Sequence, residues 1–518
     1  MATLCENKLH LCWRLSHLRK FFQQSSRSIP IAFLRKNALT SAASTGGVGK
    51  LAGGGCSLCR GPPTYQRLSR RLISNDASER RDWIYSADFK PDIDLAHIGQ
   101  KAQLIAASIK HRKGTVDISE VMAKLHLLQG IQTKVSQLQK DIKDRQSEEQ
   151  DTCEKEGQLK EQHALLQDAE SDFYQLAVAI PNSTHPDVPL SEDAEPVLIE
   201  EINQKRTFDF PMKGHVELGE NLDILRLKNL GHVTGHRSYY LKGAGAMLED
   251  ALVRFTVDRL VHRHGFTVLK VPDVVKPVVF EGCGMRTKGL HTQVYRVSPA
   301  HQDSDYCLAG TAEVGIAGYF LNKTLEMSEL PKRMCAVSRC FRAETAHSAE
   351  ARGLYRVHQF TKVEMFSVVA NETGKESEDM FWELVGIQRA LFKELGLHFQ
   401  ILDMPAHDLG APAYRKFDIE AWMPHRNSYG EISSASNCTD FQSRRLKIKY
   451  RPEEQEVAKY AHTLNGTACA VPRMIIAILE NFQQRDGSIR IPEPLQPFMD
   501  GMSLITQPAS GLVHFTRL

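Results

Sequence analysis

Residues 340–366 constrain the fold more than any other part of the chain. Both flanks of this stretch alternate as β-strands do, and its middle is rich in polar, turn-tolerant residues, so the simplest interpretation is an antiparallel pair joined by a long loop. Strand periodicity places Arg342 and Glu344 on one face. On the returning strand the same periodicity aligns His358, Phe360, Lys362 and Glu364. An ordinary half-buried strand would not concentrate so many charges.

That face carries groups suited to a nucleotide and an amine bound side by side. A guanidinium suits a phosphate, an aromatic ring can stack on a base, and carboxylates can hold an amino group. A solvated sheet face without a ligand is the alternative. Residues 340–366 resemble motif 2 of the class II aminoacyl-tRNA synthetases, and residues 352–364 resemble specifically the seryl-tRNA synthetase version. The resemblance implies an α+β chain, in which a helical coiled-coil arm precedes a catalytic domain built on an antiparallel sheet flanked by helices.

Residues 235–246 lead into a predicted helix with an inner apolar stripe. The stripe consists of Leu248, Ala251, Leu252, Phe255 and Leu260. Gly265 can take the left-handed conformation that ends a helix, and a strand is predicted over residues 266–271. This order resembles motif 1 of the same family, which implies part of a homodimer interface. Plain core packing would explain the pattern equally well.

Thr311, Ala312 and Glu313 allow two interpretations. If the segment is extended, Thr311 and Glu313 share a face and could hold an ammonium group. If a helix starts here, Thr311 is its N-cap and Glu313 lies in the first turn. The segment resembles the Thr-x-Glu loop of seryl-tRNA synthetases, which favours the ligand interpretation.

Residues 429–445 contain Glu431, Ser433 and Ser434, whose oxygens suit Mg²⁺ bridging nucleotide phosphates. A Ser-rich loop that caps a helix is the alternative. The run resembles the family signature Glu-x-x-Ser-x-Ser-Asn-Cys-x-Asp-Phe-Gln-x-Arg-Arg, and we interpret Cys438 as structural. Two further elements are predicted nearby, an amphipathic helix over residues 381–395 and a strand at a buried edge over residues 413–422.

Residues 462–473 resemble motif 3. Pro472 favours a helix start, and Arg473 near that positive end is well placed for a phosphate. The chain departs from the commoner family pattern at Thr467, Ala468 and Pro472, and it has Glu344-Thr345-Ala346 where Glu-Ala-Gly is usual. Because Thr467 keeps a hydroxyl, we expect the serine contact to survive.

The resemblance implies a serine–tRNA ligase that makes seryl-adenylate from L-serine and ATP and then charges tRNA. Arg342 and Arg473 are the implied catalytic residues. The implied ATP contacts are Arg342, Ala343, Glu344, Val357, Phe360, Glu431, Ile432, Ser433, Ser434 and Arg473. The implied L-serine contacts are Thr311, Ala312, Glu313, Arg342, Glu364 and Thr467. The implied Mg²⁺ ligands are Glu431 and Ser434.

Two apolar stripes at alternating steps of three and four flank a polar turn near residues 147–152. They consist of Leu128, Ile131, Val135, Leu138 and Ile142, then Leu159, Leu166, Ala169, Phe173 and Leu176. This pattern predicts an antiparallel helical hairpin, whose mixed charges leave RNA binding undecided. The resemblance implies that the hairpin reaches tRNA(Ser), with tRNA(Sec) as a further candidate acceptor.

The N-terminal segment is strongly basic. Residues 1–75 carry twelve basic residues and the single acid Glu6, so their net charge is +11, whereas the whole chain of 518 residues carries +3. A basic, Ser-rich, acid-poor start is typical of a transit peptide, which predicts the mitochondrial matrix, and a basic tail that touches nucleic acid is the alternative. Cys56 and Cys59 form a lone CxxC that we interpret as incidental. No stretch of the sequence approaches a membrane span.

These observations divide the chain into four parts. We predict a transit peptide at 1–75, an arm with its linker at 76–190, a catalytic domain at 191–495 and a tail at 496–518. Two rival functions remain open. An inactive synthetase-like RNA-binding protein would be expected to lose charged site residues, and a ligase that loads a carrier protein would have little use for the arm.

Overall fold

The computed structural model describes residues 90–148, 151–289, 292–297, 305–345, 353–453 and 456–507. The predicted transit peptide, Cys56 and Cys59 therefore lie outside the described residues. The α-helices are α1 Leu95–Gln100, α2 Ala102–His111, α3 Ile118–Ser147, α4 Cys153–Ala177, α5 His215–Asn221, α6 Ala244–His264, α7 Pro277–Gly282, α8 Ala312–Tyr319, α9 Glu376–Glu394, α10 Phe441–Leu446 and α11 Val471–Asn481. Within these ranges no helix has the length and apolar character that crossing a membrane requires.

Most of the β-strands have only two or three residues. The strands are β1 Val197–Ile202, β2 Leu225–Arg226, β3 Tyr240–Leu241, β4 Thr267–Val268, β5 Val274–Val275, β6 Arg296–Val297, β7 Tyr306–Leu308, β8 Thr324–Glu326, β9 Lys332–Phe341, β10 Gln359–Val369, β11 Phe399–Asp403, β12 Arg415–Met423, β13 Ser428–Asn437, β14 Lys449–Arg451, β15 Lys459–Tyr460, β16 His462–Ala470, β17 Ile489–Arg490 and β18 Leu504–Ile505. The long ones are β9, β10, β12, β13 and β16.

One eight-stranded sheet organises the molecule, in the order β1-β11-β12-β13-β16-β10-β9-β4. Its neighbouring strands are antiparallel, except that the edge strand β4 runs parallel to β9. Helices α6, α9 and α11 pack on one face through the larger apolar cluster, and α7, α8 and α10 pack toward the other through a second cluster. The predicted antiparallel sheet flanked by helices is confirmed.

The predicted antiparallel pair is β9 and β10, which pair from Phe341 opposite Gln359 to Lys332 opposite Val368. Its periodicity needs one correction. Strand β9 ends at Phe341, and Glu344 has a positive φ of 46°. The strand alternation predicted for Arg342 and Glu344 is therefore wrong, because the chain has already left the sheet where it enters the loop.

Helix α6 buries the predicted stripe, and Gly265 ends it in the left-handed conformation with φ 69°. The strand that follows is shorter than predicted, since β4 covers only Thr267–Val268. The predicted edge strand is wrong in its place, because β12 lies inside the sheet between β11 and β13. The predicted helix over residues 381–395 starts earlier, at Glu376, where the Glu376 carboxylate accepts main-chain hydrogen bonds from Glu372, Thr373 and Lys375.

Helices α3 and α4 pack against each other along their length. Lys124 pairs with Asp172 near one end and Lys155 pairs with Asp141 near the other, so the two helices run antiparallel. Leu128 and Phe173 are among the buried residues between them. Arg112, just after α2, ties this region to the sheet domain through hydrogen bonds to carbonyl oxygens that include those of Gly410 and Ala413.

Gly282 allows α7 to approach α10 closely. A Cβ atom at residue 282 would lie 2.2 Å from Leu446 Cδ2 and 2.7 Å from Leu446 Cγ, and Leu446 is fully buried. We expect Gly282→Ala to lower the free energy of unfolding by about 1–3 kcal/mol, because a buried leucine has little room to move. Denaturant unfolding measures the loss.

Gly386→Ala is the matched control for that substitution. Gly386 lies inside α9, and a Cβ atom added there would have no atom within 4 Å, so alanine should leave stability unchanged or raise it slightly. Equal effects of the two substitutions would contradict the close contact between Gly282 and Leu446.

Candidate active site

A polar pocket opens on the sheet face opposite α6, α9 and α11. Strands β10, β13 and β16, the segment that follows β9 and the start of α11 all contribute to its wall. The lining residues are Arg342, Glu344, Leu354, Tyr355, Arg356, Val357, Phe360, Lys362, Glu431, Ile432, Ser433, Ser434, Thr467, Ala470, Pro472 and Arg473. Ten of the residues predicted from the sequence are thus brought together in one cavity.

Arg342 lies just beyond the end of β9 and is held by main-chain contacts. Its amide N–H donates to His358 O, and its Nε donates to Gly310 O at 3.4 Å. The guanidinium carbon lies 5.2 Å from the centre of the Phe360 ring. Among the described residues no carboxylate forms an ion pair with Arg342, in contrast to the other cations of the pocket. The site therefore presents one guanidinium ready for an anion.

Glu344 is a buried residue of the pocket wall and has the left-handed conformation noted above. Its carboxylate lies 3.5 Å from Arg356 Nη1, and its carbonyl accepts a hydrogen bond from Arg237. These contacts hold a carboxylate in the same pocket wall that contains the Phe360 ring. Predicted loop residues 346–352 lie outside the described residues.

Glu364 is the centre of a buried polar cluster beneath the pocket. It forms an ion pair with Lys362, and both side chains are at least 92% buried. The hydroxyls of Thr311 and Thr467 donate to its carboxylate at 3.2 Å and 3.3 Å. Because Lys362 and Thr467 also line the pocket beside Arg342, the cluster and the pocket are continuous.

Glu313 extends the same cluster. Its carboxylate accepts hydrogen bonds from Gln442 at 2.6 Å and from Asn465 at 2.9 Å. Burial, reinforced by the negative charge of Glu364, raises the pKa of Glu313 to about 7. The helix interpretation of residues 311–313 is correct, since Thr311 caps α8 by accepting from the Glu313 N–H at 3.3 Å. The same hydroxyl reaches Glu364, so the cap and the cluster use one side chain.

Glu431 and Arg473 form the opposite wall. Arg473 Nη1 lies 3.0 Å from both the carboxylate and the carbonyl oxygen of Glu431, and its guanidinium stacks 4.6 Å from the Tyr355 ring. Burial disfavours the charged form of Glu431, but Arg473 and then Lys416 outweigh burial and lower the pKa of this carboxyl. Helix α11 begins beside Pro472, as predicted, so Arg473 lies in the first turn.

A bulge in β13 brings Glu431 and Ser434 to one face. Ser434 pairs with Asp418, and Glu431 pairs with Glu420 after a register shift. Asp418 and Glu420 are two apart on β12 and so share a face, which their partners share too. Among the described residues no group of three His, Cys, Asp or Glu is arranged to hold a metal. One carboxylate with one hydroxyl nevertheless fits Mg²⁺, which takes most of its ligands from water and phosphate.

Five predicted contact residues are not among the residues that line the pocket. Thr311, Glu313 and Glu364 belong to the buried cluster beneath it, and the other two are Ala312 and Ala343. Ala312 is fully buried in the second apolar cluster, so only its main chain could reach a ligand. Ala343 is likewise outside the lining residues, and its N–H donates to Gln293 O at 2.9 Å. Cys438 is buried, and burial raises its thiol pKa well above the usual value, as expected of a structural cysteine.

The sequence interpretation gave no role to several residues of the site. Lys362 lay on the predicted face without an assignment, although its alternation with Phe360 and Glu364 was a usable signal. Gln442 and Asn465 lay inside recognised motifs, but their hydrogen bonds to Glu313 depend on the tertiary fold. Lys416 Nζ lies 2.8 Å from Asp418 Oδ2. The sequence of β12 alone does not indicate that this pair lies beside Glu431 of β13.

Comparison with known proteins gives a consistent result. Residues 295–482 match the tRNA synthetase class II core domain (G, H, P, S and T). The chain is 51% identical over 354 residues to the mitochondrial serine--tRNA ligase of Bos taurus, an alignment that covers 68% of this chain and 65% of the relative. The chain thus spans slightly less than two thirds of that relative. It is 38% identical over 422 residues to the serine--tRNA ligase of Rubrobacter xylanophilus, with 79% and 97% covered.

Solved structures agree in fold. The seryl-tRNA synthetase of Pyrococcus horikoshii, crystallised with ATP, superposes with a TM-score of 0.70 at 30% identity, covering 80% of this chain and 100% of that one. The cytoplasmic serine-tRNA ligase of Naegleria fowleri in complex with AMP gives a TM-score of 0.71 at 27% identity, with 80% and 98% covered.

Proposed function

Because this chain belongs to the seryl-tRNA synthetase family of class II aminoacyl-tRNA synthetases, we propose that it is a serine–tRNA ligase. It would join L-serine and ATP into seryl-adenylate with release of pyrophosphate, and then transfer serine to the 3′-terminal adenosine of tRNA(Ser). One observation carries the proposal. Arg342, whose guanidinium forms no ion pair with a carboxylate among the described residues, lines the same pocket as Lys362 and Thr467, which both contact the buried Glu364.

We assign the ATP contacts to the residues that line the pocket above the buried cluster around Glu364. Phe360 would stack on adenine, Glu344 would accept from its amino group, and Arg342 would neutralise the α-phosphate. Arg473, fixed on Tyr355 and Glu431, would hold the γ-phosphate. Val357, Ile432, Ser433 and the main chain of Ala343 would shape the walls around the nucleotide.

Glu431 and Ser434 would hold Mg²⁺ when ATP is bound. The ion would supply neutralisation of phosphate charge, the usual role of Mg²⁺ in nucleotide sites. In the structure the Glu431 carboxylate is paired with Arg473, and its side chain lines the pocket and remains 38% exposed. The Ser434 hydroxyl lies on the same strand face.

We assign L-serine to the buried cluster. Glu313 and the Thr311 hydroxyl would bind the ammonium group, and Glu364 with Thr467 would bind the substrate hydroxyl. Lys362 would lie between that hydroxyl and the carboxylate of serine. The main chain of Ala312 would close the pocket at the start of α8.

Alignment and charge neutralisation are the chemistry that this site would supply. A serine carboxylate is already a nucleophile, so attack on the α-phosphorus needs orientation more than a side-chain base. Arg342 stands between the two ligand regions, where negative charge would develop. The buried thiols and the paired carboxylates leave no side chain poised for covalent catalysis, within the part of the site that the structure describes.

Specificity would follow from the same cluster. Alanine, which lacks the hydroxyl, would leave Glu364 and Thr467 without a substrate partner, and such a loss can discriminate by orders of magnitude. Threonine would have to be excluded by the shape of the pocket around Thr467 and Glu364.

We propose that α3 and α4 form an antiparallel coiled-coil arm that contacts tRNA(Ser), with tRNA(Sec) as a further candidate acceptor. Exposed basic residues on the pair support this role, namely Lys134, Lys140, Lys143, Arg145 and Lys160. Lys155 is instead paired with Asp141. Binding through such residues would weaken steeply with salt.

We also propose a homodimer and residence in the mitochondrial matrix. The identity to the mitochondrial relative and the basic character of residues 1–75 support that location. We divide the chain into a transit peptide at 1–75, the arm and linker at 76–190, and the catalytic domain from 191. The catalytic domain should extend past 495, because Leu504–Ile505 pairs with Ile489–Arg490 and Met499 is fully buried.

Serine-dependent exchange between ATP and pyrophosphate tests the proposed function. We expect exchange with L-serine, little with L-alanine, and charging of mitochondrial tRNA(Ser) in a second assay. Exchange without tRNA charging would favour the carrier-loading ligase. Absence of both would favour an inactive relative of the family.

The pH dependence of serine use tests the role of Glu313. Since the pKa of its carboxyl is about 7, the free enzyme carries a neutral Glu313 below that pH and loses its attraction for ammonium. We therefore expect kcat/KM for serine to fall as the pH drops through about 7. In Glu313→Gln the maximum of kcat/KM for serine should be lower, and the decrease at acidic pH should disappear. The same acidic decrease in that variant would contradict the assignment.

A further inference from the structure

Strands β13 and β16 separate at the pocket. Their ladder contains three residue pairs and ends where Ala435 lies opposite Gly466. Beyond this point the next residues of both strands, Ser434 and Thr467, line the pocket. The cavity thus opens where the sheet stops being continuous, and something other than a ladder must fix the spacing of its two walls.

Gln388 occupies the back of this gap. It lies on α9, is fully buried, and its Nε2 lies 2.9 Å from Ser433 Oγ, 2.8 Å from Ser434 O and 2.9 Å from Thr467 O. The Ser433 hydroxyl itself donates to Thr467 O. One side-chain amide therefore contacts both strands immediately beyond the end of their ladder.

The orientation of the amide is determined by its neighbours. Two of the three groups near Nε2 are carbonyl oxygens, which can only accept. The third is a hydroxyl whose proton is already used on Thr467 O, so it too accepts from Nε2. Gln388 Oε1 is buried and has no hydrogen-bond partner among the described residues. A flipped amide would place oxygen against two carbonyls, so the donor must face the gap.

The two strands carry different halves of the proposed site. In β13, Glu431 and Ser434 belong to the ATP and Mg²⁺ side, whereas in β16, Thr467 contacts Glu364 on the serine side. We propose that Gln388 is a positioning residue that sets the distance between these halves and so aligns the serine carboxylate with the α-phosphate. This inference rests on the proposed function, and Gln388 itself lies behind the pocket without reaching it.

Gln388→Met tests the inference, because methionine keeps the length of the side chain and removes the donor. The informative probe is a non-hydrolysable seryl-adenylate analogue with a sulfamoyl bridge, which spans both halves. We expect its affinity to fall about 10- to 100-fold, since small misplacements of aligned groups are costly. Affinities for serine alone and for ATP alone should each change less than about threefold, because each half stays intact.

Gln483→Met is the matched control. Gln483 is also a buried glutamine whose Nε2 donates to two main-chain carbonyls, Lys213 O at 3.0 Å and Glu480 O at 2.9 Å, but it does not contact β13 or β16. Both variants should melt at lower temperature. Only Gln388→Met should lose analogue affinity, so the control separates positioning from general stability.

Gly466→Ala is a second test that keeps the amide. The added Cβ would lie 3.2 Å from Gln388 Nε2 and 3.3 Å from Met365 Cε, so the amide must shift by a few tenths of an ångström. We expect the analogue affinity to fall in the same direction as in Gln388→Met, by a smaller factor. If Gln388→Met does not fold, Gly466→Ala tests the inference in its place.

Two results would overturn the inference. One is an analogue affinity in Gln388→Met and Gly466→Ala that matches Gln483→Met, with normal serine-dependent exchange in the unmodified enzyme. The other is a decrease in analogue affinity that is no larger than the decreases in serine affinity and ATP affinity combined. Absence of exchange in the unmodified enzyme would instead reject the proposed function, and this inference with it.

Discussion

Replacing Glu364 by alanine is expected to reduce kcat/KM for serine by about 10²- to 10³-fold in pyrophosphate exchange. The carboxylate is the acceptor at the centre of the cluster, where the hydroxyls of Thr311 and Thr467 already point at it. Without it the substrate hydroxyl loses its partner and the two threonines lose their fixed orientation. The KM for serine should rise and adenylate formation should fall.

The same substitution should destabilise the protein. Lys362 is buried beside Glu364, and loss of the carboxylate would leave its ammonium, among the described residues, with a 3.4 Å contact to the Thr467 hydroxyl alone. Breaking a buried ion pair from one side typically costs about 3–5 kcal/mol. Denaturant unfolding at neutral pH would measure this loss.

A second substitution separates stability from activity. In Glu364→Ala combined with Lys362→Met the buried ammonium is removed together with its partner, so we expect most of the lost stability to return while serine use stays impaired. Glu364→Gln, which keeps the shape and one acceptor, should fall between the wild type and Glu364→Ala. Normal serine dependence in Glu364→Ala would refute the assignment of this residue.

The strand pattern predicted part of this site correctly. Alternation along β10 placed Phe360, Lys362 and Glu364 on one face, and the structure has them there because β10 is regular in its pairing with β9. The pattern failed at Glu344, where a left-handed residue after the end of β9 redirects the chain. Alternation holds only as long as the ladder does.

Bulges explain why other parts of the site could not be predicted from periodicity. Glu431 and Ser434 are three residues apart, a spacing that puts them on opposite faces of a regular strand. The register shift in β13 brings them together. A second shift occurs where β10 meets β16, between Val363 and Glu364. Only the motif resemblance indicated that Glu431 and Ser434 act together.

Long-range contacts are the other reason why parts of the site could not be predicted from the sequence. Gln388 comes from a helix that the sequence showed only as amphipathic, and its role depends on the strands that lie in front of it. Thr311 shows the opposite situation, because the helix interpretation drawn from the sequence is correct and the hydroxyl that caps α8 also donates to Glu364. Its contact to the ammonium group of serine stays a prediction. One short polar residue can satisfy a helix end and a binding site together.

Arg473→Ala is expected to lower kcat/KM for ATP by about 10³-fold, because a preorganised donor aimed at phosphate charge is removed from a partly buried site. The guanidinium is held by Glu431 and by the Tyr355 ring, so its position is set before ATP binds. Glu431 should respond as well. Burial raises the pKa of the Glu431 carboxyl and the charge of Arg473 lowers it. Without Arg473 this pKa should therefore rise, which weakens Glu431 as a Mg²⁺ ligand.

Arg473→Lys distinguishes charge from geometry. Lysine keeps the positive charge but cannot reproduce the planar stacking on Tyr355 together with the fork of donors. We therefore expect Arg473→Lys to recover only part of the lost kcat/KM for ATP, with the KM for serine within about threefold of the wild type, because charge alone replaces little of a preorganised contact. Steady-state exchange at varied ATP and varied serine measures both. Arg473 lies on α11, whereas Thr467 and Glu364 of the proposed serine site lie on β16 and β10. Equal losses for the two substrates would therefore mean that Arg473 supports the fold of the pocket rather than the phosphate.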